Sequence, residues 1–256
     1  MGRLKIVSAY DAKYAPIGDI SARSIRNYAA QTGHDFKIFD LPDTGRPPAW
    51  GKIPVIRSAL SESDHEFVMW VDADACFVRS DRDIANEMKP GMDLYLVFHR
   101  IAVHSFFPGV HAAIDRPNSG VMVLRKSEWS FRFLDKIWGM TQYLNHGWWE
   151  NAAIIDLLGL RAEFSGDFAK NVPDPEWCGK TQPLPLPWNA CPTAGLYHCS
   201  EVFDPIIVHA AAMTAEERIG VLSRWCLPDD LPDEGHPRAT RRLPEPIAKQ
   251  NLAMGA

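Results

Sequence analysis

The stretch "FVMWVDADACFV", residues 67–78, decides the fold. It begins as a continuous apolar run, Phe67 to Val71, of the kind that a parallel sheet buries on both faces. It then breaks on two aspartates one residue apart, Asp72 and Asp74, and turns apolar again. Like charges at that spacing repel and gain nothing from a core, so the pair calls for a positive partner. A D-x-D pair leaving the carboxyl end of a strand presents both carboxylates near one point. Oxygen ligands of that sort suit a hard divalent cation, Mn²⁺ or Mg²⁺, with phosphate oxygens and water completing the shell. The bland alternative is a surface turn. The apolar runs on both sides count against it, because they fix the pair at a sheet edge.

Outward from this strand the chain alternates. "LKIVSAY" (4–10) is a buried strand. Ile17, Ile20, Ile25 and Tyr28 recur at helical spacing, and Gly33 stands where a helix C-cap glycine would. "HDFKIFD" (34–40) alternates like a second strand, and Trp50, Ile53, Ile56 and Leu60 mark the next helix. "DLYLVFH" (93–99) and "GVMVLR" (120–125) read as further strands. Ser127 opens a helix carrying Phe131, Leu134 and Trp138 on one face, and another helix runs through "ENAAIIDLL" (150–158). Strand–helix alternation of this length predicts an α/β fold, a mostly parallel central sheet flanked by helices. Such sheets bind ligands outside the carboxyl ends of their strands.

Composition narrows the function. The chain has 256 residues, 46% of them hydrophobic, enough for one large domain, and we expect it over 1–226 with a Pro- and charge-rich extension over 227–256. A net charge of −5 counts against a nucleic-acid partner, which requires clustered Lys and Arg. No window reaches the about 18 apolar residues of a membrane span, and "MGRLKIVSAY" starts directly on a strand. The expectation is a soluble start without signal peptide or anchor. The five cysteines contain no CxxC pair and read as reduced thiols of a cytoplasmic protein.

The wider context resembles a known family. "KIPVIRSALSESDHEFVMWVDADACFV" looks like the segment of GT-A glycosyltransferases in which a basic helix leads into a strand ending in the D-x-D. "PNSGVMVLRKSEWSFRFLDKIW" (117–138), "WWENAAIIDLL" (148–158), "PIIVHAAAM" (205–213) and "YAPIGDISARSIRNYAAQTGHDF" (14–36) fit the same pattern in the same order. Together they resemble the retaining family of fungal galactosyl- and mannosyltransferases and plant xyloglucan xylosyltransferases, over roughly residues 4–225. The departures are the missing N-terminal anchor, and Glu150-Asn151 where the plant enzymes carry an acidic pair followed by Gln.

The resemblance implies a GT-A (Rossmann-like) fold and transfer of a sugar, galactose as first choice, from a UDP-linked donor to a glycan or other hydroxyl acceptor. It implies dependence on Mn²⁺ or Mg²⁺, retention of configuration, and at most peripheral membrane association. Asp74 and His209 then hold the metal, and Asp72 faces the ribose or a metal-bound water. Glu150 lies beside the anomeric carbon, where it supports oxocarbenium-like charge or orients the donor sugar, and Asn151 shares the task. Asn118 and Ser119 bond sugar hydroxyls, and Gly120 permits close backbone approach. Ser8, Tyr10 and Asp11 follow the first strand, where the nucleotide base would lie. Lys52 and Arg57 either contact the donor or are solvated helix charges. Trp148 and Trp149 either stack on a sugar face or fill the core.

The stretch 172–192 holds six prolines and no period, and is expected as a long ordered loop anchored by Trp177 and Trp188. "YHC" (197–199) with Cys191 matches no common zinc spacing. Two rivals remain. A haloacid-dehalogenase-type phosphatase also heads its reaction with a D-x-D after an apolar strand. It expects Thr or Val where Cys76 stands, and a Gly-Asp with a further acid four residues on, which Gly166-Asp167 lacks. The other rival is a non-catalytic sugar- or nucleotide-binding module.

Overall fold

The structure, a computed structural model, describes residues 4–62, 64–102, 113–160, 172–192 and 204–226. Its centre is a six-stranded sheet. The strands are β1 (Leu4–Tyr10), β2 (Asp35–Asp40), β3 (Phe67–Val71), β5 (Leu94–Ala102), β6 (Ala113–Arg125) and β7 (Thr181–Leu184). A separate pair is formed by β4 (Ala75–Phe77) and β8 (Ile207–His209). The order in the large sheet is β2-β1-β3-β6-β5-β7. Only β6 runs against its neighbours; the β1–β2, β1–β3 and β5–β7 pairs are parallel, while β3–β6 and β5–β6 are antiparallel. The mostly parallel sheet expected from the sequence is therefore present, with one reversed strand.

Alternation along β3 explains the layering. Val68 and Trp70 join one buried cluster with Trp50, Ile53, Ile56, Leu60 and Phe133. Met69 and Val71 join the other with Ile25, Tyr28, Phe77, Tyr95 and Trp188. A strand covered on both faces must be apolar throughout, which is what residues 67–71 supply. The first face is covered by α2 (Lys52–Glu62), α3 (Glu128–Gly139) and α4 (Trp149–Leu157); the second by α1 (Ala15–Thr32) and the β4–β8 pair. Gly33 caps α1 in the left-handed conformation, with φ 73°. Ser127 caps α3 by accepting from the Ser130 amide. Thr214 and Glu217 form a capping box at the start of α6 (Ala215–Trp225).

Two expectations change. The stretch 172–192 is no plain loop: it carries a short helix α5 (Pro175–Cys178) and β7, which closes the sheet edge. Pro183 is tolerated there because an edge strand has one side free of ladder bonds. Its anchors are where expected, with Trp177 and Trp188 both buried. On α3 the buried face is centred on Trp129, Phe133, Leu134 and Ile137, while Phe131 and Trp138 pack only at its margin. His209 reaches the site from the two-stranded sheet, opposite Ala75. Residues 197–199 and the extension 227–256 lie outside the described residues. Among the described residues, Cys76, Cys178 and Cys226 form no disulfide, and no helix is long and apolar enough to cross a membrane.

Candidate active site

The end of β3 and the start of β4 are joined by a tight turn in which the Ala75 amide donates to the Asp72 carbonyl. The turn is tied to β6 by the Asp72 amide, which donates to the Gly120 carbonyl at 2.7 Å. The two aspartates are thus held by the backbone, and their side chains meet different surroundings.

Asp72 faces α2 and α4. Its Oδ1 accepts from Trp70 Nε1 at 2.6 Å and pairs with Lys52 Nζ at 2.8 Å. Lys52 Nζ also stands 2.8 Å from Glu150 Oε1, and Ser119 Oγ donates to that same oxygen at 3.0 Å. Lys52 and Glu150 are buried, at 4% and 3% exposure, so this is an ion network inside the protein and not a surface pair. Burial works to lower the Lys52 pKa, but Asp72 and Glu150 outweigh it and hold the ammonium above its usual range. Burial pushes the Glu150 carboxyl up, with Lys52 pulling the other way. The second carboxylate oxygen of Glu150, Oε2, is buried without a hydrogen-bond partner.

Asp74 faces the β4–β8 pair and α6. Its Oδ2 pairs with Arg218 Nε at 2.9 Å, and its Oδ1 lies 3.3 Å from His209 Nε2. Asp72 Oδ2 completes the group, 3.7 Å from the same nitrogen. Burial opposes charge on Asp74, yet His209 and Arg218 hold its carboxyl below the usual carboxylate range. One ligand atom from each of Asp72, Asp74 and His209 lies within 4.8 Å of the others. The lysine takes one oxygen of Asp72 and the arginine one oxygen of Asp74. The remaining oxygen of each is turned toward the imidazole. Two oxygens and an imidazole nitrogen converging in this way are a donor set that fits a hard divalent cation.

Gly120 is required by this packing. A Cβ there would lie 2.1 Å from His209 Cε1 and 2.5 Å from Nδ1, a clash with a ring that cannot retreat. Asn118 turns its Oδ1 to the Gly120 amide at 2.8 Å. Asn151 takes the Ser119 amide at 3.0 Å and donates to the Pro117 carbonyl at 3.2 Å, so both ends of its amide hold the 117–119 backbone in place.

The sequence-based candidates therefore separate. Lys52, Asp72, Asp74, Asn118, Ser119, Gly120, Glu150, Asn151 and His209 come together in one continuous network. Arg57 does not join it: it makes a two-point pair with Asp135 on α3 and lies over the Phe131 ring. At the end of β1, Ser8 is buried with an unpartnered hydroxyl, Tyr10 donates to Asp19, and Asp11 accepts from the Tyr14 amide in the turn before α1. The tryptophans divide: Trp148 packs against Ala152 and Ile155, whereas Trp149 is 44% exposed and adopts φ 45°, a left-handed conformation unusual for a large side chain. Sequence reasoning missed Trp70, Arg218 and Asn189. Trp70 sits two residues before Asp72 on the same face, a signal that was available; the other two are brought in only by tertiary contacts.

Comparison with known proteins agrees with this architecture. Residues 9–93 match the model of the galactosyl transferase GMA12/MNN10 family. "Glycosyltransferase 6" of Arabidopsis thaliana is 32% identical over 129 residues, which is 47% of this chain and 28% of that protein. "Galactomannan galactosyltransferase 1" of Cyamopsis tetragonoloba is 32% identical over 94 residues, 35% of this chain and 19% of its own length. The chain thus spans under a third of these relatives. Among solved structures, a glycosyltransferase involved in glycosylation of the major capsid of PBCV-1 superposes with a TM-score of 0.58 at 14% identity, covering 87% of this chain and 99% of that one. The galactosyltransferase LgtC, solved with donor and acceptor sugar analogs, superposes at 0.54 with 12% identity, covering 90% and 98%. The fold is that of the GT-A glycosyltransferases, and residues 9–93 carry the sequence pattern of the galactosyl transferase GMA12/MNN10 family.

Proposed function

We propose that the chain is a glycosyltransferase that moves a sugar, galactose as first choice, from a UDP-linked donor to an acceptor hydroxyl, with dependence on Mn²⁺ or Mg²⁺ and with retention. The observation that carries this reading is the convergence of Asp72, Asp74 and His209 beside the buried Lys52–Glu150–Ser119 network. When bound, a divalent ion supplies charge stabilisation for the diphosphate that leaves the sugar. Asp72, Asp74 and His209 would hold it.

The chain's own residues do the rest. Lys52 bridges Asp72 and Glu150, and its charge offsets the repulsion that two neighbouring carboxylates would feel. Glu150 fixes one oxygen on Lys52 and Ser119 and leaves Oε2 buried and unpartnered. An acceptor atom held dry and free suits a sugar hydroxyl in the ground state, or positive charge on the anomeric carbon as the donor bond breaks. Asn151 and Asn118 hold the 117–120 backbone that presents Ser119, and exposed Trp149 offers an aromatic face for the acceptor. The end of β1, with the free Ser8 hydroxyl, is the place for the nucleoside. The catalytic unit is 1–226, with 227–256 as an extension.

The test is hydrolysis of a donor panel by the purified chain, with Mn²⁺ and with EDTA. UDP-galactose is expected to turn over fastest, only with the ion, and to release the α anomer of galactose first, read by NMR before mutarotation. Binding without any turnover would identify a sugar- or nucleotide-binding module; first release of the β anomer would remove retention.

A further inference from the structure

We propose that Asn189 is a positioning residue for the cation site: it fixes the tautomer of His209, so that Nδ1 keeps its proton and Nε2 offers its lone pair to the ion. The inference rests on the cation site assigned above and deepens it.

Hydrogen-bond logic leads to Asn189 from an atom whose role has only one direction. The Gly120 backbone N–H donates and cannot accept, and it lies 2.8 Å from Asn118 Oδ1. The Asn118 side chain therefore turns its oxygen this way. Asn189 Nδ2 is 3.0 Å from that same oxygen and 3.4 Å from the Asn118 carbonyl, two groups that only accept. Asn189 must then present its NH₂ to Asn118, which leaves its own oxygen toward His209, with Asn189 Oδ1 and His209 Nδ1 3.0 Å apart. An amide oxygen accepts only, so Nδ1 carries the hydrogen.

A neutral imidazole holds one ring proton. With that proton fixed on Nδ1, the lone pair belongs to Nε2, the nitrogen 3.3 Å from Asp74 and 3.7 Å from Asp72. In an imidazolium both nitrogens are protonated, and the proton released to solvent when a cation binds is again the one on Nε2. The Cys191 sulfur, 3.8 Å from Nδ1, is the weaker competitor on distance and on acceptor strength. Asn189 is fully buried and His209 nearly so, which shields the relay from water. The Asn189 carbonyl is itself engaged by His99 Nε2 at 2.7 Å. Burial pushes His99 down to about 4, so it stays neutral and adds no charge behind the relay. Partners of this kind behind a metal-bound histidine are worth about 10–100-fold in affinity.

Two-bond ¹H–¹⁵N spectra of the ¹⁵N-histidine-labelled chain, ion-free and at a pH above the ordinary histidine range of about 6.5, report the protonated nitrogen of His209. Assignment comes from His209→Gln. Wild type is expected to show Nδ1–H. In Asn189→Leu, His209 is expected to shift toward Nε2–H, and Mn²⁺ affinity, read by electron paramagnetic resonance of free Mn²⁺, to fall about 10–100-fold. If the leucine variant does not fold, Asn189→Ser carries the same two expectations. An Nε2–H tautomer in wild type, or Mn²⁺ affinity within twofold of wild type in the folded variant, overturns the proposal alone. An Nδ1–H tautomer in a chain that binds no Mn²⁺ overturns it together with the cation reading.

Discussion

The two aspartates of the D-x-D stand two residues apart and live in opposite kinds of surroundings. Asp72 meets a cation that belongs to the fold: Lys52 is buried, rises from α2 under the sheet edge, and serves Glu150 at the same time. Asp74 meets a cation from the periphery: Arg218 sits on α6, the last described helix, with 23% of its side chain exposed. Removing the first would leave Glu150 buried and uncompensated, with the half-buried Asp72 carboxylate beside it. The second can move aside more readily, because the guanidinium is partly exposed and keeps the Ala210 carbonyl as another partner. The lysine side of the site is therefore a fixed electrostatic frame, and the arginine side is where a divalent ion enters.

The largest effect expected from this contrast is that of Lys52→Met. It keeps the volume of the side chain but orphans Asp72 and Glu150, so the chain should lose about 3–5 kcal/mol of stability, seen as a lower urea midpoint. Arg218→Met should cost less in the same experiment, about 1–2 kcal/mol, because it removes one partner of a part-buried pair while His209 still faces Asp74. Equal losses would erase the distinction between the two sides.

Asp74→Ala should remove the ion-dependent part of UDP binding in calorimetry and cut turnover by on the order of 10³ or more. The ion-free chain should also show an Asp74 signature in acid. Its folded-state pKa is depressed, so it contributes stability that is present above the ordinary carboxylate pKa of about 3.9 and is lost as pH falls through the lower folded value. The stability gap between wild type and Asp74→Asn should therefore close in that acid window and be constant above it.

Glu150→Gln preserves shape and removes charge. Turnover should fall about 10²-fold with donor affinity within a few-fold, because the charge acts as the donor bond breaks. An unchanged kcat would reduce Glu150 to a helix-terminus acid. The smallest effect belongs to Trp149→Gly. Relief of the left-handed conformation should raise stability by about 0.5–1 kcal/mol, while the KM for acceptor rises several-fold and donor hydrolysis stays as it was.

How much of this was readable in advance follows the range of the contacts. The D-x-D, the strands around it and the α1 and α2 helices are local patterns, and residues 67–71 announce a strand buried on both faces. Ser127, Thr214 and Glu217 cap helices through neighbours three residues away, and they too are visible as spacing. β7 was hidden because Pro183 and Pro185 argue against a strand unless it is known to lie at a sheet edge. Asn189 and Arg218 carry no local signal at all. Asn189 acts on Asn118 across 71 residues and on His209 across 20, and only folding decides which way its amide points. His209 itself came from the family resemblance, since a histidine after a short strand says nothing about its partners. Of the two readings open for Arg57, its exposed pair with Asp135 on α3 fits the plain helix charge, a choice that only the tertiary contact makes.

The central claim is that Asp74 and His209 hold one ion at the end of β3. Anomalous diffraction at the manganese edge, from crystals grown with Mn²⁺ and UDP, tests it most directly. The account predicts one peak about 2.0–2.3 Å from an Asp74 carboxylate oxygen and from His209 Nε2, with His209 Nδ1 still on Asn189. A peak bound by Asp74 with His209 turned away into the core, or no peak beside Asp74 at all, would contradict it.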